Sequence, residues 1–372
     1  MTDEERKIET IKEAFEYERS LRDKTDTLRF EAMSLVGHRT KSLSACDDSP
    51  VKDDRTFQGE DVKALETFER GFSSALMDRN TKWFACSIVP RLYKMGQNPI
   101  EDIEFTSYVE KALMDEFSAS NLYPSSSLAS KDSMIGGYSC QLVQEDPVRH
   151  RTVYDTLVPW RCWFNHDRFY NWDTFFYTYT LNGYEMLERF PDMDERLKRR
   201  CKESRSAGRF RMLFAIVDRK KVFGSNGEPV SFIIGKNMKF ASLQICLDTD
   251  QILEESGYID FPVVIHIWEQ VSDSHYGIGL VMKYISEFRR LHMMAYEYGV
   301  AFTKLNHRGW NVPESIKDSF SDEPYARNVY RSANEIPTPL ENPPDITATQ
   351  NCYNIQVDAI RRICYNDYMN FL

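Results

Sequence analysis

Seven histidines, eight cysteines and 57 acidic residues are the groups in this 372-residue chain that could move protons, hold a metal or act as nucleophiles. The histidines, at 38, 150, 166, 266, 275, 292 and 307, never fall in the HExxH spacing that sets two imidazoles on one helix face for zinc. The nearest approach to a ligand cluster is Asn165-His166-Asp167, which needs distant partners to hold a metal and otherwise reads as a surface turn. The cysteines, at 46, 86, 140, 162, 201, 246, 352 and 364, contain no CxxC pair and suit reduced thiols in a cytosol; no metal site is expected. A phosphate-wrapping P-loop needs Gly, four residues, then Gly-Lys-Ser/Thr, but Gly235-Lys236 is followed by Asn237 and position 230 is Val. No GxSxG elbow presents a serine nucleophile. The carboxylates are too numerous for spacing to single out an acid–base pair. These residues argue against the common motif-bearing enzymes; neither catalysis nor a cofactor is expected.

Charge offers one concentrated feature. Arg196, Lys198, Arg199, Arg200, Lys202, Arg205, Arg209 and Arg211 crowd into sixteen positions opposed only by Glu203, in a chain whose net charge is −10. Such a run contacts phosphate or an acidic partner, or else is a solvated helix face. Acidity overall disfavours a free-standing DNA-binding domain. It serves solubility in most acidic proteins, the leading reading, and also fits a surface past which DNA must slide, because each Lys or Arg on a phosphate adds affinity and resists movement.

The elements that would position these residues read as α+β, mostly helix. Residues 4–35 form a polar helix with Ile8, Ile11 and Phe15 recurring at +3 and +4. Residues 38–58 read as a loop rich in Ser, Asp, Lys and Thr. Asp61 opens a helix with the stripe Val62, Leu65, Phe68, Phe72 and Leu76. A third spans about Glu101 to Ser118, with Asp102 as its cap and Phe105, Val109, Leu113 and Phe117 on one face. From Ser133 to Tyr184 the composition is that of strands. Residues 185–206 return to charged helix, and strands follow near Arg211–Val217, Val230–Ile234 and Phe261–Trp268. After Tyr276 a seam of Tyr284, Phe288, Leu291, Ala295 and Tyr298 suits packing against neighbouring helices. Residues 309–350 hold six of the fifteen prolines and read as an extended loop; a last helix carries Val357, Ile360, Cys364, Tyr368 and Phe371 on one face. The longest apolar run, Phe261 to Trp268, is too short to span a bilayer and contains His266. The acidic start, Met1 to Glu5, reads as no signal peptide and hence a cytoplasmic site of synthesis.

From about residue 56 to 372 the order of segments resembles the portal, or head-to-tail connecting, proteins of short-tailed double-stranded DNA phages. The likeness runs through Ala64-Leu65, Phe72-Ser73-Ser74-Ala75-Leu76 and Trp83-Phe84, then Val109-Glu110 and Phe117-Ser118-Ala119-Ser120-Asn121-Leu122 before Gly136-Gly137. It continues through Val158-Pro159 to Trp172-Asp173 and the helix near Tyr184 to Phe190. Its most specific stretch is Pro262 to Trp268 followed by Tyr276-Gly277-Ile278-Gly279, and it closes on Asp358-Ala359-Ile360-Arg361-Arg362. The sequence departs from the family at Ile278 and Leu280, where Arg and Pro are frequent. It ends at Leu372 where members usually continue, which reads either as a shortened member or as a gene product lacking the crown.

The resemblance implies a ring of self-associated subunits, a dodecamer, at one capsid vertex of the virion, assembled in the host cytoplasm. Double-stranded DNA passes through the channel; a terminase motor, the major capsid protein and tail adaptor proteins are the implied partners, with no membrane. It implies an N-terminal helix and linker over 1–55, a wing-like region over 56–190, a strand-rich region including the clip over 191–275 and a stem helix over 276–308. A proline-rich loop over 309–350 reaches the channel or is a plain surface connection, and a C-terminal helix covers 351–372. On this reading Tyr276, Gly277, Tyr284, Phe288, Leu291 and Ala295 serve stem and subunit packing, so that Phe288→Asp blocks ring assembly. Lys283, Glu287, Arg289 and Arg290 form the wet face of the stem, and Arg196, Lys198, Arg199 and Arg200 meet DNA or a partner. Taken alone, the stem's stripe is that of an ordinary core helix. Another head–tail adaptor, or an enzyme of unfamiliar family with a polar cleft, are the competing readings.

Overall fold

The polar N-terminal helix forms as α1 (Asp3–Leu35), and its apolar stripe of Ile8, Ile11 and Phe15 is buried against a sheet. The computed structural model describes residues 3–39, 57–79, 81–87, 99–221, 232, 237–271, 274–306, 309–321, 327–330, 332–339 and 345–369. The chain divides into two compact units, one of Met1–Ala32 with Glu69–Lys283, the other of Met33–Phe68 with Tyr284–Leu372. The architecture is α+β and mostly helical.

In the first unit, five antiparallel strands run in the order β3 (Cys162–His166), β4 (Trp172–Asn182), β5 (Arg209–Asp218), β6 (Phe240–Cys246) and β7 (Gln251–Tyr258). Side chains alternate across a strand, so each strand serves two layers. Leu213, Ala215 and Val217 of β5, with Phe176, Ala241, Leu243 and Ile245, face α1. The intervening Phe210, Met212, Phe214 and Ile216 face the other way. Phe210 and Met212 pack on α5 (Gly183–Arg189) and α6 (Glu195–Ser204) through Met186, Leu197 and Cys201. Phe214 and Ile216 pack with a second sheet, in which β1 (Tyr138–Asp146) lies between β2 (Arg151–Leu157) and β8 (Val263–Ile267). Helices α1 and α6 therefore cover opposite faces of the five-stranded sheet.

Several sequence expectations are corrected here. The strand texture read from Ser133 begins at Tyr138. The residues before it form α4 (Leu122–Gly136), which carries no helical signal because five serines of poor helix propensity populate it. The helix expected from Glu101 is α3 (Pro99–Ala119), whose start at Pro99 puts Asp102 inside the first turn and not at the cap. Of its expected apolar face, Phe105 and Leu113 are exposed, as are Ile103 and Tyr108. Residues 185–206 form two helices, the first opened by a reciprocal capping box between Asn182 and Glu185. Strands β6 and β7 have no counterpart in the sequence reading, since β6 is buried at every position and shows no alternation. Val230–Ile234 lies outside the described residues except Phe232, as do residues 40–56 of the expected loop.

The second unit holds the start of α2 (Glu60–Leu76), α8 (Ile285–Asn306), a short pairing of β9 (Trp310–Asn311) with β10 (Thr338–Pro339), and α9 (Ile346–Met369). Helix α9 buries Val357, Ile360 and Cys364 as its stripe requires, and packs along α8. The Tyr368 side chain and Phe371 lie outside the described residues.

Candidate functional site

The Tyr276–Gly279 segment is where several elements of the first unit converge. Helix α4 ends at Gly137, whose φ of 95° suits glycine alone and whose N–H donates to Ser133 O at 2.8 Å. Its carbonyl accepts from Trp268 N–H at 3.0 Å, fixing the end of β8. A Cβ on Gly137 would collide with the Gly277 carbonyl, one on Gly277 with the Gly137 carbonyl, and one on Gly279 with Ile135 O. The three glycines are therefore demanded by backbone lying on backbone. The short helix α7 (Leu280–Lys283) continues from this contact. Gly137→Ala is expected to cost about 2 kcal/mol or more in urea unfolding, from left-handed strain plus the clash. Gly299→Ala in α8, where a Cβ meets nothing within 4 Å, should be neutral or stabilise by up to about 1 kcal/mol.

Beneath the glycines lies a closed aromatic and cationic cluster. Tyr276 is 4% exposed, its ring 4.7 Å from Phe164 and 5.3 Å from Tyr138, and its hydroxyl accepts from Phe164 N–H at 3.3 Å. Arg29 donates through Nε to Gly136 O at 2.7 Å and lies 4.7 Å over the Tyr138 ring. Arg22 donates to Cys162 O and Trp160 O, both at 2.6 Å. The two arginines share one carboxylate: Asp26 accepts from Arg22 Nε at 2.9 Å and from Arg29 Nη1 at 2.5 Å. Burial pushes the Tyr138 phenol up to about 12 and holds the Tyr276 phenol well above its ordinary value. Phenols so disposed stay protonated at neutral pH, and the cluster joins α1, α4 and β3.

Beside it, His275 Nδ1 lies 2.9 Å from His166 Nε2, and His166 Nδ1 lies 2.7 Å from Asp167 O. With His166 Nδ1–H donating to that carbonyl, its Nε2 is the atom that shares a hydrogen bond with His275 Nδ1. Among the described residues no three His, Cys, Asp or Glu are placed to hold a metal ion. Burial first, and His166 second, lower the His275 pKa; Asp173 opposes them. A histidine depressed on folding contributes stability that is complete above its unfolded value, near 6.5, and is lost as pH falls through the folded one. The melting temperature should therefore drop on acidification below about pH 6.5, and His275→Asn should flatten that dependence.

The second unit carries the seam of α8. Phe288 and Leu291 are 0% exposed within one chain, and Tyr284 and Ala295 are half-buried. His292 Nε2 lies 3.0 Å from Asp61 Oδ2, both residues buried. Gln356 of α9 donates to Glu287, Glu60 of α2 pairs with Arg361, and Tyr298 stacks on Tyr353. Of the residues expected to pack between subunits, Phe288 and Leu291 are covered within one chain, while Tyr284 and Ala295 keep part of their surface. Arg289 and Arg290 are exposed, the latter 3.6 Å from Glu287, while in the first unit Lys283 is held by Glu269 at 2.8 Å. On α6, Arg196, Arg199 and Arg200 are exposed and Lys198 pairs with Glu195 at 3.1 Å.

A family model described as bacteriophage head to tail connecting protein matches residues 8–372. The chain belongs to that family. No curated protein matches it. Members of the head-to-tail connecting family are structural phage proteins, so this connector is a virion component that meets capsid and tail. Among the described residues no helix of the connector is long and apolar enough to cross a membrane. Sequence reasoning marks Tyr276, Gly277 and the basic run, but misses Asp26, Arg22, Arg29 and the Asp61–His292 pair. Tyr276-Gly277 and the doubled glycine at 136–137 are the legible hints of the joint; charged residues on a charged helix give none.

Proposed function

We propose that copies of this chain assemble into a ring, a dodecamer, at one capsid vertex. The ring surrounds the path of double-stranded DNA during packaging and ejection. It presents surfaces to the major capsid protein, the terminase motor and tail adaptor proteins. The observation that carries this reading is the family match over residues 8–372. A chain without a P-loop agrees with an ATPase supplied by a separate motor protein.

Within that reading, residues 276–308 are the stem, 56–190 the wing, 191–275 the strand-rich part with the clip, and 309–350 the channel loop. Helix α8 is then the core of the stem, with Tyr276, Gly277, Tyr284, Phe288, Leu291 and Ala295 serving its packing, and Met293, Tyr296 and Phe302, each more than half exposed in one chain, offering further surface to a neighbouring subunit. Lys283, Glu287, Arg289 and Arg290 are the candidates for the wet face. A ring repeats each of these charges around its axis, and sparse cations in an acidic wall keep a polyanion mobile.

Mass photometry and negative-stain imaging of the purified chain test the proposal. Rings with a central hole are expected. A population that stays monomeric at every concentration, or assembles into closed particles without a hole, would reject it.

A further inference from the structure

We infer that neighbouring copies meet head to tail, with the acidic outer face of α1 on one copy against the basic outer face of α6 on the next. The inference rests on the ring reading above and names the surfaces that build the ring. Three observations carry it.

The first is sign and spacing. Glu5, Glu9, Glu13 and Glu16 recur at +4, +4 and +3, which places them on one stripe of α1, and all four are exposed. The stripe spans about 16 Å at 1.5 Å per residue. On α6, Arg196, Arg199 and Lys202 recur at +3 as an exposed ridge of about 9 Å, and the exposed Arg205 follows at its C-terminal end.

The second is that the centre of the acidic stripe and the whole basic ridge are unmet in the single chain. Among the described residues, Glu9 and Glu13 have no cationic partner, and Arg196, Arg199, Lys202 and Arg205 no carboxylate. Glu16 has the exposed Arg19 at 3.6 Å, and Glu203 is the one acid within the basic ridge. In a chain of net charge −10, four cations left without carboxylates stand out as a surface for an external anion.

The third is topology. Leu213, Ala215 and Val217 point to α1 while Phe210 and Met212 of the same strand point to the α5–α6 side. The two faces therefore look out from opposite sides of one sheet and cannot meet within a subunit. A two-fold contact of either face with itself would set like charge on like charge. A head-to-tail contact sets each face on its complement, and such a contact builds a ring when its rotation closes, as the ring reading requires. DNA is the competing occupant of the basic ridge, but it leaves the matching acidic stripe without a role.

Charge reversal tests this. Glu9→Lys with Glu13→Lys, and Arg199→Glu with Lys202→Glu, are each expected to keep the wild-type melting temperature and to give at least tenfold fewer rings. Mixing the two variants in equal amounts should restore rings, because each then offers its neighbour the complement, and a chain with all four changes should assemble alone. If a reversal unfolds the chain, Gln at the same positions should still lower ring yield tenfold. Rings from wild type and from every variant alike would sink the inference and leave the ring reading standing, as would variants that assemble normally and lose only retention of duplex DNA. Failure of both the mixture and the fourfold variant to assemble would likewise overturn it. A wild-type chain that never forms rings would remove the ring reading itself.

Discussion

Phe288→Asp is expected to unfold the second unit, with a loss of about 4 kcal/mol or more and no folded monomer to study. Phe288 is 0% exposed and sits on α8 one turn before His292, which is itself buried against Asp61. Removing a buried phenylalanine costs about 3–5 kcal/mol through lost contacts and the cavity. Placing a carboxylate there adds the desolvation of a charge with no cation provided for it. Urea titration followed by circular dichroism reads the effect. Absence of rings from this variant would then follow from unfolding and carry no information about subunit contacts. The informative changes are Met293→Asp and Phe302→Asp on the uncovered side, which should leave stability within about 0.5 kcal/mol of wild type, as surface substitutions do. If Phe288→Asp instead folds with wild-type stability and merely stays monomeric, the dry side of α8 faces another copy and the packing described for one chain is wrong.

That contrast marks how far the sequence can be read. Periodicity locates α1, α2, α8 and α9, because a 3.6-residue recurrence of apolar side chains reports a dry face wherever it lies. It does not report what makes the face dry. The stripe of Phe288 and Leu291 is the same string whether its own chain or a neighbouring subunit covers it, and here it is buried within the chain. Strand β6 escapes because layers on both faces erase the alternation that betrays a half-buried strand. Helix α4 escapes for a different reason. Its serines oppose helix by propensity and are held by tertiary contacts, Ser125 with Tyr154 O and Thr156, and Ser127 with Glu69. The joint is half legible: Tyr276-Gly277 and Gly136-Gly137 stand out as punctuation, but nothing in a single string says that Gly137 and Gly277 touch.

Least legible of all is Asp26, and its replacement by Ala is expected to cost about 3–5 kcal/mol, the range for leaving buried charge uncompensated. Arg22 and Arg29 are 3% and 1% exposed, and both lean on this one carboxylate. Without it, Arg29 keeps Gly136 O and the Tyr138 face, and Arg22 keeps Trp160 O and Cys162 O. Two buried cations would then lose the one carboxylate they share. Lys12→Ala, which removes the partner of the exposed Asp250 and leaves that residue's left-handed backbone unchanged, should cost less than about 1 kcal/mol and serves as the control. Many buried ion pairs can be exchanged for apolar residues at little loss. Here that exchange should fail: Arg22→Met, Asp26→Leu and Arg29→Met together remove the donors to three backbone carbonyls, at Gly136, Trp160 and Cys162. Each orphaned carbonyl costs roughly 1–3 kcal/mol, so the triple variant should remain at least as unstable as Asp26→Ala alone. A triple variant that recovers wild-type stability in urea unfolding would mean that the arginines only balance Asp26, and that the ends of α4 and β3 are held by the glycine contact without them.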